Sequence, residues 1–290
     1  MFRARTRRRA AALLLTTLGL LVSGCSGSHD KAASTSTATT TASSAVTSTA
    51  PATHPAKQPP PAPPVAQCRE LAYSDVAVFF NDTQPVPCSS THTAYTFAVE
   101  ELPSRIAFPG VSIQNDAIQS AAADKCHAAF RRFVGGNDAT RALARLSVTY
   151  FLPRQVGFHL GARWVRCDVV ALKTARALAP LPAKLQGFLD SPSALTTYGV
   201  CSKGKPGVSR LLMCSEPHEY RALAAIRLGG ATAPYPGVNA TVNLGTQRCK
   251  KLVAKQLGVT SGFTYSWTYP STADWAAGQR FGYCWNQTNS

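Results

Sequence analysis

Residues 161–167 read GARWVRC, and residues 278–284 read GQRFGYC. Both are Gly-x-Arg-aromatic-x-x-Cys, and the likeness extends upstream of each. Pro153 and Pro270 lie eight residues before the two glycines, and Phe158 and Trp275 stand five residues after each proline. Farther back, Cys126 and Cys249 each precede a glycine by nine, Gly135 and Gly258. Farther still, Cys-Ser-x-x-His occurs at Cys88–His92 and again at Cys214–His218. So many matches in one order predict an internal duplication of the fold.

The cysteines carry the same message. Setting Cys25 aside, eight remain in two sets of four: Cys68, Cys88, Cys126 and Cys167, then Cys201, Cys214, Cys249 and Cys284. An even number in an exported chain reads as a disulfide framework. The third cysteine of each set lies on a helical stripe. Ile118, Ala122, Cys126, Ala129, Phe130 and Phe133 recur at spacings of three and four, as do Cys249, Leu252, Val253 and Leu257. That spacing puts each cysteine on the buried face of a helix. Asn115-Asp116 supplies a start signal, and Gly135-Gly136 and Gly258 supply stops.

The other cysteines sit among short β-like runs. AYSDVAVFF (72–80) precedes Cys88, and residues 94–99 follow it. SVTYFLP with RWVRCDVV, and FTYSWTYP with RFGYCW, are rich in β-branched and aromatic residues. The expected fold is therefore α+β: two similar disulfide-stapled repeats, each a small antiparallel sheet with one packed helix, after a disordered tether. Four cysteines allow three pairings. Sequence does not choose among them; the pairing expected here is Cys68–Cys88, Cys126–Cys167, Cys201–Cys214 and Cys249–Cys284. In each repeat the first bond would tie a hairpin and the second would staple the helix to the last strand.

The first residues set the compartment. Arg3, Arg5, Arg7, Arg8 and Arg9 precede an apolar stretch, Ala10 to Val22. At about 13 residues it is too short to cross ~30 Å of hydrocarbon, so it reads as a secretory signal. It ends Val22-Ser23-Gly24-Cys25, which looks like a bacterial lipobox with Cys25 as the lipidated residue. Residues 26–66 are dominated by Ser, Thr, Ala and Pro and lack the apolar surface to fold. The proline-rich end of this tether should be extended and semi-stiff. The expected organisation is a lipoprotein signal over 1–25, a tether over 26–66, one repeat over 67–190 and a second over 191–290. The protein is expected on the extracytoplasmic face of the cell membrane, held by lipid.

Reactive constellations are hard to assemble from these residues. Cys-x-x-x-His could give two zinc ligands, but zinc sites favour close cysteine pairs, and the nearest cysteines here are 13 apart. A Cys/His nucleophile needs a free thiolate beside its base, whereas each cysteine after Cys25 has an expected disulfide partner. His92 and His218 are expected to brace the turn after the cysteine by hydrogen bonds, with a ligand contact as the alternative. His127 and His159 have no histidine at the matching places of the second repeat, where Lys250 and Ala276 stand. No phosphate loop or dinucleotide fingerprint occurs. No enzymatic activity, cofactor or metal is expected.

Charge points to partners. Without the five signal arginines the formal net charge of +16 becomes +11. Lys203, Lys205, Lys250, Lys251 and Lys255 concentrate part of it. A basic exported surface is drawn to anionic lipid headgroups or anionic wall polymers, and nucleic acid is not expected there.

On these motifs the chain resembles the septum-formation domain family of actinobacterial envelope proteins. The resemblance rests on Cys88, His92 and Tyr95, on Cys214, His218 and Tyr220, on the helix cysteines, and on Tyr150–Pro153 and Tyr269–Pro270. Gly-x-Arg-Trp/Phe-x-x-Cys completes it, and it spans most of residues 67–285 as two copies. The second copy departs from the pattern in a short first cysteine loop, 199–214, and in Phe281 where the first has Trp164. The resemblance implies an extracytoplasmic role at the division septum and transfers no catalytic residue. The expected function is non-enzymatic binding or organisation at the envelope, with septal proteins or wall polymers as partners. The alternatives are an enzyme or accessory factor acting on wall glycan or peptide, and a ligand-sensing or carrier lipoprotein.

Overall fold

Two antiparallel sheets organise residues 58–108 and 110–288, the part of the chain that the computed structural model describes. The expected signal, Cys25 and the tether up to residue 57 lie outside the described residues.

The first sheet is built from β1 (Cys68–Arg69), β2 (Ala94–Glu101), β3 (Leu146–Phe151), β4 (Trp164–Leu172) and β5 (Leu178–Ala179). Its order is β1-β2-β4-β3, with β5 also paired to β4. Helix α1 (Asp116–Val134) crosses one face, and the short helices α2 (Asp138–Ala142) and α3 (Gln155–His159) flank β3. The start signal works as expected: Asn115 Oδ1 accepts from the Ala117 amide at 2.9 Å. Asp116 in the first turn and Arg131 and Arg132 in the last suit the helix dipole. The apolar stripe buries Ile118, Ala122, Cys126, Ala129, Phe130 and Val134. Strand β4 is buried along almost its whole length. Alternation sends Val165, Cys167 and Val169 toward the helix and Trp164, Arg166, Asp168 and Val170 to the opposite face.

That opposite face is covered by the long loop between β1 and β2, closed by Cys68–Cys88. Here one expectation is corrected. AYSDVAVFF is not a strand; it holds a 3-10 turn, Asp75–Ala77, and then irregular chain. The Asp75 carboxylate accepts from the Ala72 amide at 2.8 Å, a local bond that competes with strand pairing. The run is apolar because it roofs the sheet: Leu71 and Val76 pack with Phe151 and Val170, and the Leu152 amide donates to Phe79 O.

The second sheet has β6 (Val200–Ser202), β7 (Leu211–Met213), β8 (Tyr220–Arg227), β9 (Ser266–Thr268) and β10 (Phe281–Gln287) in the order β7-β6-β8-β10-β9. Helix α4 (Ala194–Tyr198) leads in, α5 (Val238–Leu257) crosses one face, and α6 (Thr272–Ala276) links β9 to β10. Gly258, at φ +69°, closes α5 in the left-handed conformation that favours glycine. The Trp267 ring lies between Gly245 of α5 and Gly282 of β10, so close that a methyl group on either glycine would overlap it.

Four disulfides join Cys68 to Cys88, Cys126 to Cys167, Cys201 to Cys214 and Cys249 to Cys284. In each half one bond closes a loop beside the first strand and the other ties the long helix to an interior strand, β4 or β10. The halves also share structure. Val200 donates its amide to Leu143 O at 2.9 Å, and Arg145 to Tyr198 O at 2.7 Å. Met213 packs into the first core with Val169 and Ala171, and Leu143 packs into the second with Ala222 and Trp285. On the surface Asp138 pairs with both Arg141 and Arg227.

Candidate functional site

The two Cys-Ser-x-x-His phrases fold into the same device. His92 Nδ1 meets Ser90 O at 2.8 Å, and His218 Nδ1 meets Glu216 O at 2.8 Å. Each ring thus bonds the carbonyl two residues before it and braces the turn after the cysteine. His92 is buried, and its own carbonyl accepts from the Leu181 amide. His218 is half-buried, with a ring nitrogen within 4.8 Å of both sulfurs of Cys201 and Cys214. Those sulfurs are bonded to each other, and metal ligation requires thiolates.

The strongest electrostatic feature is buried under the roof of the first sheet. Asp168 and Arg166 are 0% and 3% exposed. Arg166 Nε lies 3.1 Å from Asp168 Oδ2, off the line of a good hydrogen bond, so the contact is an ion pair. Thr96 donates to Asp168 Oδ1 at 2.7 Å and accepts from Arg69 Nη1 at 2.7 Å. Asn81 of the roof accepts from Arg166 through both its carbonyl and its side chain. Burial pushes the Asp168 carboxyl up, against the pull of Arg166, Thr96 and Arg69. This network is sealed from solvent and serves to pin the roof to the sheet. No repeated motif marks Asp168, because Trp285 stands 117 residues along at the matching position.

Two of the grooves among the described residues are open to solvent. One, of about 600 Å³, runs between α1 and β3 and is lined by Gln119, His127, Thr149 and Tyr150 among others. Burial pushes the His127 imidazole down, so it stands neutral at pH 7. The other, of about 310 Å³, lies on the second sheet, on the face away from α5. Phe281, Tyr283 and Trp285 of β10 form its floor, with Pro270 and Asp274 at one end. Trp285 is anchored by an Nε1 bond to Thr268 Oγ1 at 2.8 Å. Burial holds the Tyr283 phenol above its ordinary value, so it enters as a neutral hydroxyl. The groove exists because the loop closed by Cys201–Cys214 spans 13 residues, against 20 for Cys68–Cys88. The shorter loop leaves this face without a roof.

Fold and sites together define a disulfide-stapled α/β protein whose accessible features include two grooves lined by aromatic, apolar and polar side chains. The chain belongs to the Septum formation family, which matches residues 81–284. The match takes in every strand but β1, reaching into β10 as far as Cys284, and all but the first of the eight disulfide cysteines. No curated protein and no solved structure matches the chain.

Proposed function

We propose that this chain is a lipoprotein of the outer face of the cell membrane, anchored through Cys25, which binds and organises an envelope component at the division septum without catalysing a reaction. The family match over residues 81–284 carries this reading. The four disulfides favour an oxidising compartment, in keeping with the exported start of the sequence. Exposed Lys203, Lys205, Lys250, Lys251 and Lys255 favour an anionic or acid-flanked partner. Septal proteins and anionic wall polymers are the partner classes.

The same reading makes the two halves copies of one module. The parallels are specific: a long helix bonded by cysteine to an interior strand, a short helix before that strand, and a histidine-braced turn. The domain limits that follow are 67–190 and 191–290.

The test is localisation in growing cells, with a fluorophore that matures outside the cytoplasm fused after Ser290. Enrichment at new septa, lost when residues 67–288 are deleted and the N-terminal segment is kept, is the expected result. An even membrane outline, unchanged by that deletion, refutes the septal role. Mass analysis of the mature N-terminus tests the anchor separately: a diacylglyceryl group on Cys25 is expected, and an unmodified Cys25 refutes the anchor.

A further inference from the structure

Helix α5 differs from α1 in its charge. It carries Arg248, Lys251 and Lys255 at spacings of three and four, on one face. Lys250 stands beside them, and all four side chains are exposed. Among the described residues no acid pairs with any of the four. None is near in sequence either, since residues 220–273 contain no Asp or Glu. The helix dipole suits Lys255 in the last turn. Its pull is spent within that turn and does not account for Arg248 and Lys251. Like charges at such spacings repel, so the stripe weakens the helix that bears it.

The first half shows that the fold does not require this. Matching Cys126 to Cys249 puts Asn239 at the place of Asp116 and Gln247 at that of Asp124. Lys125, the counterpart of Arg248, pairs with Glu100 of β2. Matching His92 to His218 puts Ile226 of β8 where that glutamate stands. The acids that balance α1 are thus replaced by neutral residues around α5, while four cations remain. At the end of the stripe Gly258 turns the chain in the left-handed conformation. Leu257 and Val259, on either side of that glycine, are exposed. Exposed aliphatic side chains beside unpaired cations are the pattern of a surface that lies on an anionic bilayer.

We infer that the C-terminal end of α5 docks on a bilayer rich in anionic lipid. Arg248, Lys251 and Lys255 meet the headgroup phosphates, and Leu257 and Val259 enter the interface. The inference rests on the reading of the chain as a membrane-anchored lipoprotein whose halves are copies of one module. Residues 26–57 can span at most about 110 Å. An anchor at Cys25 therefore keeps this surface within reach of its own membrane, and a weak contact then suffices. A bilayer fits better than an anionic wall polymer, because a polymer in water offers Leu257 and Val259 no apolar phase to enter.

Residues 26–290 are exported behind a cleavable signal, so that the disulfides form and no lipid is attached. The protein is sedimented with vesicles of phosphatidylcholine alone, or with about 40% phosphatidylglycerol added to supply anionic headgroups. Binding to the anionic vesicles, well above that to the neutral ones, is expected. Arg248→Gln/Lys251→Gln/Lys255→Gln should weaken it about a hundredfold, and Leu257→Ser/Val259→Ser about tenfold. The glutamine variant should unfold no more readily than the parent, since it removes repelling charges, so its loss is not one of folding. Lys203→Gln/Lys205→Gln/Arg210→Gln removes the same charge from another exposed place and should weaken binding by less than about threefold. Equal affinity for both vesicles, or equal losses in the two triple variants, overturns the inference. Binding that survives Leu257→Ser/Val259→Ser and is competed by poly(glycerol phosphate) overturns the choice of a bilayer in favour of a polymer. A diacylated, septum-enriched chain that ignores anionic vesicles refutes this inference alone, whereas an unmodified Cys25 or an even outline in cells refutes the reading beneath it.

Discussion

Gly245 invites a substitution whose sign is in question. In an open helix, Gly→Ala stabilises by about 1 kcal/mol, since alanine gives up less chain entropy on folding. Gly245 is buried within α5, and a methyl group there would overlap the Trp267 indole at Nε1, Cδ1 and Cε2. The ring cannot slide away, because Gly282 of β10 lies against its far side with as little room. Displacing it also strains the bond from Trp267 Nε1 to Thr241 O, 3.2 Å long and worth about 1 kcal/mol. Overpacking a filled site costs about 1–3 kcal/mol. Adding the lost bond and subtracting the helix gain leaves Gly245→Ala destabilised by about 1–3 kcal/mol. For a folded part of this size each kcal/mol moves Tm by about 2–4 °C. Thermal and urea unfolding of the oxidised protein measure it. The double variant Gly245→Ala/Trp267→Phe, with a smaller ring, should recover part of the loss relative to the sum of the single changes. A Gly245→Ala protein as stable as the parent, or more so, would show that the indole is not confined and refute the reasoning.

Four further outcomes rest on the same structure. Replacing Cys249 and Cys284 together by alanine releases a 35-residue closure and should cost about 4 kcal/mol on the chain-entropy account; an unchanged urea midpoint would contradict that. Asp168→Ala leaves Arg166 and Arg69 buried without their carboxylate and should cost about 3–5 kcal/mol, read by the same unfolding assay. Because the native carboxyl of Asp168 is raised by burial, the folded state keeps a proton that the unfolded chain has lost. Its contribution to stability should therefore weaken as pH climbs from about 4, the ordinary value, toward the higher native one, and Asp168→Asn should remove that slope; an identical slope in both proteins would be the failing result. His92→Ala removes a buried brace and should cost about 1–3 kcal/mol, more than His218→Ala at its half-buried site, and the reverse order would contradict the burial argument.

Much of this fold could be read in advance because cysteines and helix stripes are local signals. Cys126 and Cys249 sit on three-and-four spacings that only a helix face explains, and Asn115 with Gly135 marks the ends. The paired Gly-x-Arg-aromatic-x-x-Cys strands fell where β4 and β10 are. Residues 72–80 misled because an apolar run says that surface is buried, not that it pairs; the Asp75 side chain turned the backbone aside. Sharing of cores between the halves was not legible, since Leu143 and Met213 look like ordinary core residues of their own half. The groove was the hardest to foresee. It arises from a loop that is too short to cover a face, and the shortening could be seen at residues 199–214 without revealing which aromatics it would uncover. Trp267 between two glycines needed three distant positions to meet, a coincidence no spacing announces.

The place where the N-terminal segment joins the fold has a mechanical consequence. The chain enters through residues 58–67 and reaches β1, a strand of two residues that pairs with β2. So short a strand would peel under tension. Cys68 stands at its first position and is bonded to Cys88, so a pull from the N-terminal side passes into a covalent loop before it can unzip the ladder. The exposed bond from Trp164 Nε1 to Pro60 O parts first, the disulfide then takes the load, and the sheet behind it is the last element to feel the force.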